Sequence, residues 1–205
     1  MSKRNIRKNF DRNIARTRGL LNVYDNSVGP GRPDTILSDL LRAAVVMLHA
    51  AFEDACRSVA AQKLPTADSA VLEDIPFVGT KGRAKAIHLG ELSKHRGKTV
   101  DDLIQESITQ FLDGFSVNNA SEIDAYLQKI GIVNPGSFRR SLNFGTLCIA
   151  IKRRHHIVHQ ADKNPTGGRG HHAAQPISRD TVEQWITVVE KFIHTLLDTI
   201  WPPRR

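Results

Sequence analysis

The chain has 205 residues, 40% of them hydrophobic and 24% charged, which fits one globular domain or one domain carrying a sizeable insertion. Its two cysteines, Cys56 and Cys148, lie inside apolar periodic segments, a placement that excludes a disulfide framework and a thiolate metal centre and reads as buried, reduced thiols in a cytoplasmic protein. The formal net charge is +8, and Lys3, Arg4, Arg7, Lys8, Arg12, Arg16 and Arg18 against Asp11 place +6 of it in the first twenty residues.

In chain order, the basic segment 1–24 comes first. Its charge density suits a polyanion, above all nucleic acid, through an attraction that is independent of sequence and sensitive to salt. Ile6, Phe10 and Ile14 recur every four residues, so the same segment also reads as an amphipathic helix docked on the body with its charges in water. Both readings stand at this point. A loop through Asp25 to Asp34 follows, rich in glycine and proline, with Asp34 placed to cap the next helix. That helix, Thr35 to Gln62, is apolar around most of its circumference, which marks a central helix packed on several sides and stopped by Pro65. Its longest apolar run, Leu40 to Phe52, is too short to span a bilayer and contains Arg42 and His49, so no membrane segment is expected.

Residues 66–132 read as an insertion of shorter helices within a domain spanning 35–201. Helical spacing is clear in DDLIQESITQFLDGF and SEIDAYLQKIGI, separated by a cap signal at Asn118 to Ser121. GTKGR, at 79–83, lacks the spacing of a phosphate-binding loop and has no catalytic weight. One helix is then expected from about Phe138 to about Gln160, buried along most of its length. The loop Asn164 to Pro176 is flexible by its glycine content, and its His171 and His172 read as solvated. Ser178 caps a last helix with a stripe from Val182 to Ile200, stopped by Pro202 and Pro203. With helical periods throughout and no period-2 alternation, the fold class is all-α.

The chemistry concentrates in RRHHIVH, residues 153–159, at the end of the helix that precedes the glycine-rich loop. Cations at a helix C-terminus gain about 0.3–1 kcal/mol from the macrodipole, which accounts for charge but not for three histidines. Arg154 to His159, with a polar residue after the arginine and an apolar pair before the histidine, has the R-x4-H pattern and resembles the HEPN superfamily. The order of helices is similar too, most closely to the RiboL-PSP-HEPN branch, over roughly Thr35 to Trp201.

That resemblance implies a four-helix bundle and metal-independent cleavage of RNA through its own 2′-hydroxyl. It implies a toxin or antiphage-defence role, a homodimer in which two motifs share one cleft, and a cognate antitoxin or defence-system partner. No cofactor and no metal are implied. His159 would then do acid–base work and Arg154 would hold the phosphoryl oxygens, with His155 supporting. Arg153, at R-x5-H spacing, is the alternative arginine. Glu53 and Asp54 either reach the cleft to orient a histidine or are solvated. On an ideal helix Arg154 and His159 are about 140° apart while His155 and His159 are about 40° apart, so a two-fold partner supplying the other half is expected. Histidines at i,i+4 can bind a transition metal, but no carboxylate or cysteine stands at matching spacing and Arg154 would oppose the cation. Two further readings stay open: a non-catalytic HEPN-like module that holds nucleic acid or a partner protein, and a DNA-binding regulator supported by the basic segment alone.

Overall fold

In the computed structural model, which describes residues 2–29, 35–80, 87–140, 142–164 and 174–202, the basic segment forms helix α1, Lys3–Ser27. Ser2 caps it by accepting a hydrogen bond from the Asn5 amide, 3.3 Å. Ile6, Phe10, Ile14, Thr17 and Leu21 are buried on one face of α1, against α2, Thr35–Lys63, and α9, Arg179–Ile200. The docked-helix reading of this segment is therefore correct, whatever its outer face binds. The proposed cap at Asp34 lies outside the described residues.

Helix α2 is central because apolar side chains occupy most of its circumference. Leu41, Val45, Leu48, Phe52, Cys56 and Val59 are buried, and the helix packs against α1, α9, the motif helix and the helix Val100–Asp113. Each of the leucine, valine and phenylalanine side chains contributes about 1.5–3 kcal/mol of burial. Phe192 of α9 joins the layers, edge-on to Phe52 at 5.5 Å and to Phe138 at 5.4 Å between ring centroids.

Between α2 and the motif come α3 (Ser69–Leu72), α4 (Leu89–Ser93), α5 (Val100–Asp113) and α6 (Ala120–Lys129). Thr99 and Asp102 form a capping box on α5, and Asn119 caps α6, within the cap signal at Asn118 to Ser121. This region is fastened to α2 by side chains four residues apart. Arg57 donates to the carbonyls of Leu112 and Phe115, at 3.0 and 3.2 Å, and Glu53 accepts from the Val117 amide at 3.0 Å. His49 Nε2 meets the Val117 carbonyl at 3.2 Å, which makes that nitrogen the donor.

The expected single helix over Phe138 to Gln160 is instead two: α7, Pro135–Arg140, and α8, Phe144–Gln160. At Asn143, the residue before α8, ψ is 65° instead of helical, and the Phe144 amide donates to the Leu142 carbonyl at 2.9 Å. Short polar side chains such as this asparagine compete with the helical backbone, and its Oδ1 accepts from the Thr146 hydroxyl at 2.9 Å. Nor is α8 buried along most of its length. Leu147, Ala150 and Ile151 face α2 and α9, while Ile149 is 59% exposed and Val158 47%. The first half of α8 is apolar nearly all round, but among the described residues only one side of it has neighbours. For the same reason Cys148 is only half-buried, unlike Cys56.

All regular elements among the described residues are helical, and the lone extended pairing is an isolated antiparallel bridge, Lys163 with Ala174. No helix among them is long and apolar enough to cross a membrane.

Candidate active site

The R-x4-H stretch occupies the last two turns of α8, and its geometry is set by how that helix stops. Ala161 and Asp162 both take left-handed backbone angles, φ 48° and 53°, and the Asp162 amide reaches back to the His156 carbonyl at 3.1 Å. Left-handed backbone costs a residue with a Cβ roughly 1–2 kcal/mol, so something must hold the turn. The Asp162 side chain does, being 1% exposed, with its Oδ2 accepting from Arg42 Nε and from Arg153 Nη2, each at 2.8 Å. Both arginines also donate to the Gln175 carbonyl, at 2.9 and 2.8 Å, and the Gln175 amide donates to the Asp162 carbonyl at 2.8 Å. Arg153 further reaches Gln175 Oε1 at 2.7 Å and the Pro176 carbonyl at 3.1 Å. A buried carboxylate between two guanidiniums thus clamps both ends of the glycine-rich loop beside the histidines. The interior of that loop, with His171 and His172, lies outside the described residues.

Arg153 is engaged in holding this turn, so the two candidate arginines are not equivalent. Arg154 makes no ion pair among the described residues, and its Nε is buried without a hydrogen-bond partner. Its charge is felt by Glu53. Burial pushes the Glu53 carboxyl up, but His49, the Val117 amide and Arg154 together outweigh it and hold the carboxyl below its ordinary value of 4.5. Glu53 lies 3.5 Å from His49 Nδ1 and touches Val117, so its partners are the α5–α6 connection and His49, not the motif histidines. Asp54 is exposed.

His155 and His159 are exposed and lie together, their ring centroids 4.6 Å apart at an interplanar angle of 44°. His156 is half-buried, 6.4 Å from His155. Because α8 stays helical through Gln160, Arg154 remains about 140° around the helix from His159. One chain therefore gathers the two histidines at the surface and leaves the arginine on the flank facing α2. Among the described residues no group of three or more His, Cys, Asp or Glu is gathered closely enough to hold a metal ion.

The seven basic residues of α1 divide into two sets. Lys3 donates to the Trp201 carbonyl and pairs with Asp198 at 3.0 Å, and Arg7 pairs with the same carboxylate at 2.8 Å. Arg18 pairs with Glu183 at 3.1 Å and, through two parallel bonds of 2.7 Å, with Glu190. Arg4, Lys8, Arg12 and Arg16 are exposed.

Sequence reasoning missed Asp162, Gln175 and the role of Arg42. The signal was present for Arg42 and His49, a cation and an imidazole inside the apolar run Leu40 to Phe52, since polar groups on a buried helix must find partners. Nothing in the sequence marked Asp162 as the counter-ion of Arg42.

Residues 11–201 match the family model described as RiboL-PSP-HEPN, so the match includes most of α1. No curated protein and no solved structure matches the chain.

Proposed function

We propose that this chain, which belongs to the RiboL-PSP-HEPN family, is a metal-independent endoribonuclease acting as a homodimer in a toxin or antiphage-defence role. HEPN domains are in general nucleases or RNA-binding modules. The observation that carries the finer reading is the pairing of an exposed His155–His159 couple with an arginine, Arg154, that has no ion-pair partner among the described residues.

The chemistry follows from the residue types. One histidine removes the proton of a ribose 2′-hydroxyl, the 2′-oxygen attacks phosphorus, the P–O5′ bond breaks, and a second proton goes to the departing 5′-oxygen. The products are a 2′,3′-cyclic phosphate and a 5′-hydroxyl. Imidazole serves as acid or base near neutral pH, and His155 within ring-contact distance of His159 supports its orientation. Guanidinium, always charged and forked, stabilises the phosphorane oxygens. The 140° gap between Arg154 and His159 is closed by a second copy whose α8 faces the first. Ile149, 59% exposed on the side of α8 opposite the buried Leu147 and Ile151, supplies apolar surface for that contact.

The test is incubation of the purified protein with RNA in EDTA. Products ending in 2′,3′-cyclic phosphate, lost in His159→Ala and in Arg154→Ala, support the reading. RNA left intact while still bound, or cleavage that needs an added metal, overturns it.

A further inference from the structure

We propose that the outward face of α1 is a binding surface for a stretch of RNA backbone, separate from the cleavage motif, formed by Arg4, Lys8, Arg12 and Arg16. This rests on the reading of the chain as an RNA-acting protein and adds where, away from the reacting phosphate, the strand is held.

Three observations converge on these four side chains. They recur at every fourth position, so they form one slowly winding stripe along α1, about 18 Å from first to last at about 1.5 Å per residue. At a rise of about 3.4 Å per nucleotide, that length matches on the order of five phosphates of a stacked strand. All four are exposed, and among the described residues none has an ion pair or hydrogen bond, whereas Lys3, Arg7 and Arg18 on the inner flank are neutralised by Asp198, Glu183 and Glu190 of α9. The acid of α9 is thus used on one flank, and the four cations of the stripe have no carboxylate partner among the described residues. Asp11, the one acidic residue in the sequence between Arg4 and Arg16, has its Oδ1 2.9 Å from His194 Nε2.

The third observation is that the arrangement works against the helix itself. Arg4–Lys8, Lys8–Arg12 and Arg12–Arg16 are three like-charge i,i+4 pairs, which destabilise a helix. The first turn holds cations and no acid, against the positive end of the helix dipole. A merely solvated face gains nothing from such a row, whereas a polyanion relieves both repulsions at once.

The same geometry selects the kind of polyanion. A basic amphipathic helix binds an anionic membrane by burying its apolar face in the lipid. Here that face, Ile6, Phe10, Ile14 and Leu21, is already in the protein core. The stripe carries no exposed aromatic side chain to stack on bases, since Phe10 is buried, so recognition is of backbone charge and independent of sequence.

The experiment compares the wild type with a quadruple variant, Arg4→Gln, Lys8→Gln, Arg12→Gln and Arg16→Gln, in binding a fluorescent single-stranded 2′-O-methyl RNA, which lacks the attacking hydroxyl and stays intact. Glutamine keeps helix propensity, and removing like-charge pairs leaves the thermal midpoint equal or higher, which verifies the fold. With about 0.7 counterions released per phosphate neutralised on a single strand, the slope of log K against log salt should become shallower by up to about 2.8. Between 50 and 200 mM salt the wild type should therefore lose up to roughly fifty-fold more affinity than the variant. A second variant, Arg7→Gln, removes a cation already paired with Asp198 and should leave the slope as it is. Vesicles of phosphatidylserine and phosphatidylcholine should not bind through the stripe.

A quadruple variant with the wild-type slope removes the surface, and if the wild type still cuts RNA the nuclease reading survives that result. Wild type that binds with the expected slope difference but never cuts leaves the surface standing and removes the nuclease. Binding to vesicles that the quadruple variant loses, or no binding of wild type to the RNA at low salt, overturns the surface as assigned.

Discussion

Asp162→Asn tests the clamp that shapes the end of the motif helix. Asparagine is nearly isosteric and tolerates left-handed backbone, so the substitution removes charge while leaving the φ of 53° acceptable. It strips the counter-charge from two guanidiniums whose side chains are only 10% and 14% exposed. Breaking a buried ion pair by removing one partner costs about 3–5 kcal/mol. Here the lower end applies. Arg42 keeps Asp39 at 3.0 Å, both arginines keep the Gln175 carbonyl, and the amide oxygen still accepts one bond. The expected loss is about 3 kcal/mol, or a melting point lower by about 6–12 °C for a chain of this size. Urea unfolding followed by the fluorescence of Trp185 and Trp201 measures it. Asp162→Ala should lose more, because the left-handed backbone then carries a side chain that makes no bond. In a double-mutant cycle with Arg153→Met, coupling should exceed about 1 kcal/mol, within the range for residues in one buried network. A loss below about 1 kcal/mol, with the two substitutions additive, would refute the clamp.

Four further outcomes follow from the same geometry. His159→Ala and Arg154→Ala should each lower RNA cleavage by about 10²–10⁴-fold with circular dichroism unchanged, and His156→Ala, half-buried and off the histidine pair, should cost much less; equal losses at 156 and 159 would contradict the assignment. Arg153→Ala should lower the thermal midpoint more than Arg154→Ala does, since Arg153, unlike Arg154, grips Asp162, which scanning calorimetry of the two variants decides. Ile149→Asp, on the exposed face of α8, should turn a dimer into monomers by light scattering and reduce cleavage with it; full activity as a monomer would remove the composite site. Glu53, held below its ordinary 4.5 in the fold, adds stability above that value and loses it as pH falls through the folded value, so Glu53→Gln should be less stable at neutral pH and fall less steeply on acidification. Parallel acid limbs in urea midpoints would show that the carboxyl is not held down.

What the sequence determined by itself was periodic or covalently local. The all-α class, the central helix, the caps at Asn119 and Ser178, and the docked face of α1 were legible because a 3.6-residue period and a capping side chain act within a few residues of chain. The i,i+4 placement that brings His155 against His159 was legible for the same reason. The tertiary structure decided everything that required knowing which charge meets which. Arg153 and Arg154 are adjacent and chemically identical. Only the return of the chain through Asp162 and Gln175, against an arginine 120 residues earlier, engages the first and leaves the second without an ion pair among the described residues. Likewise the seven cations of α1 read as one uniform run until α9 is laid beside them and its carboxylates neutralise one flank. Apolar pattern is set by each residue's own preference for water. Ion pairing depends on distances of a few ångströms between residues remote in the chain, and only the folded structure supplies those distances.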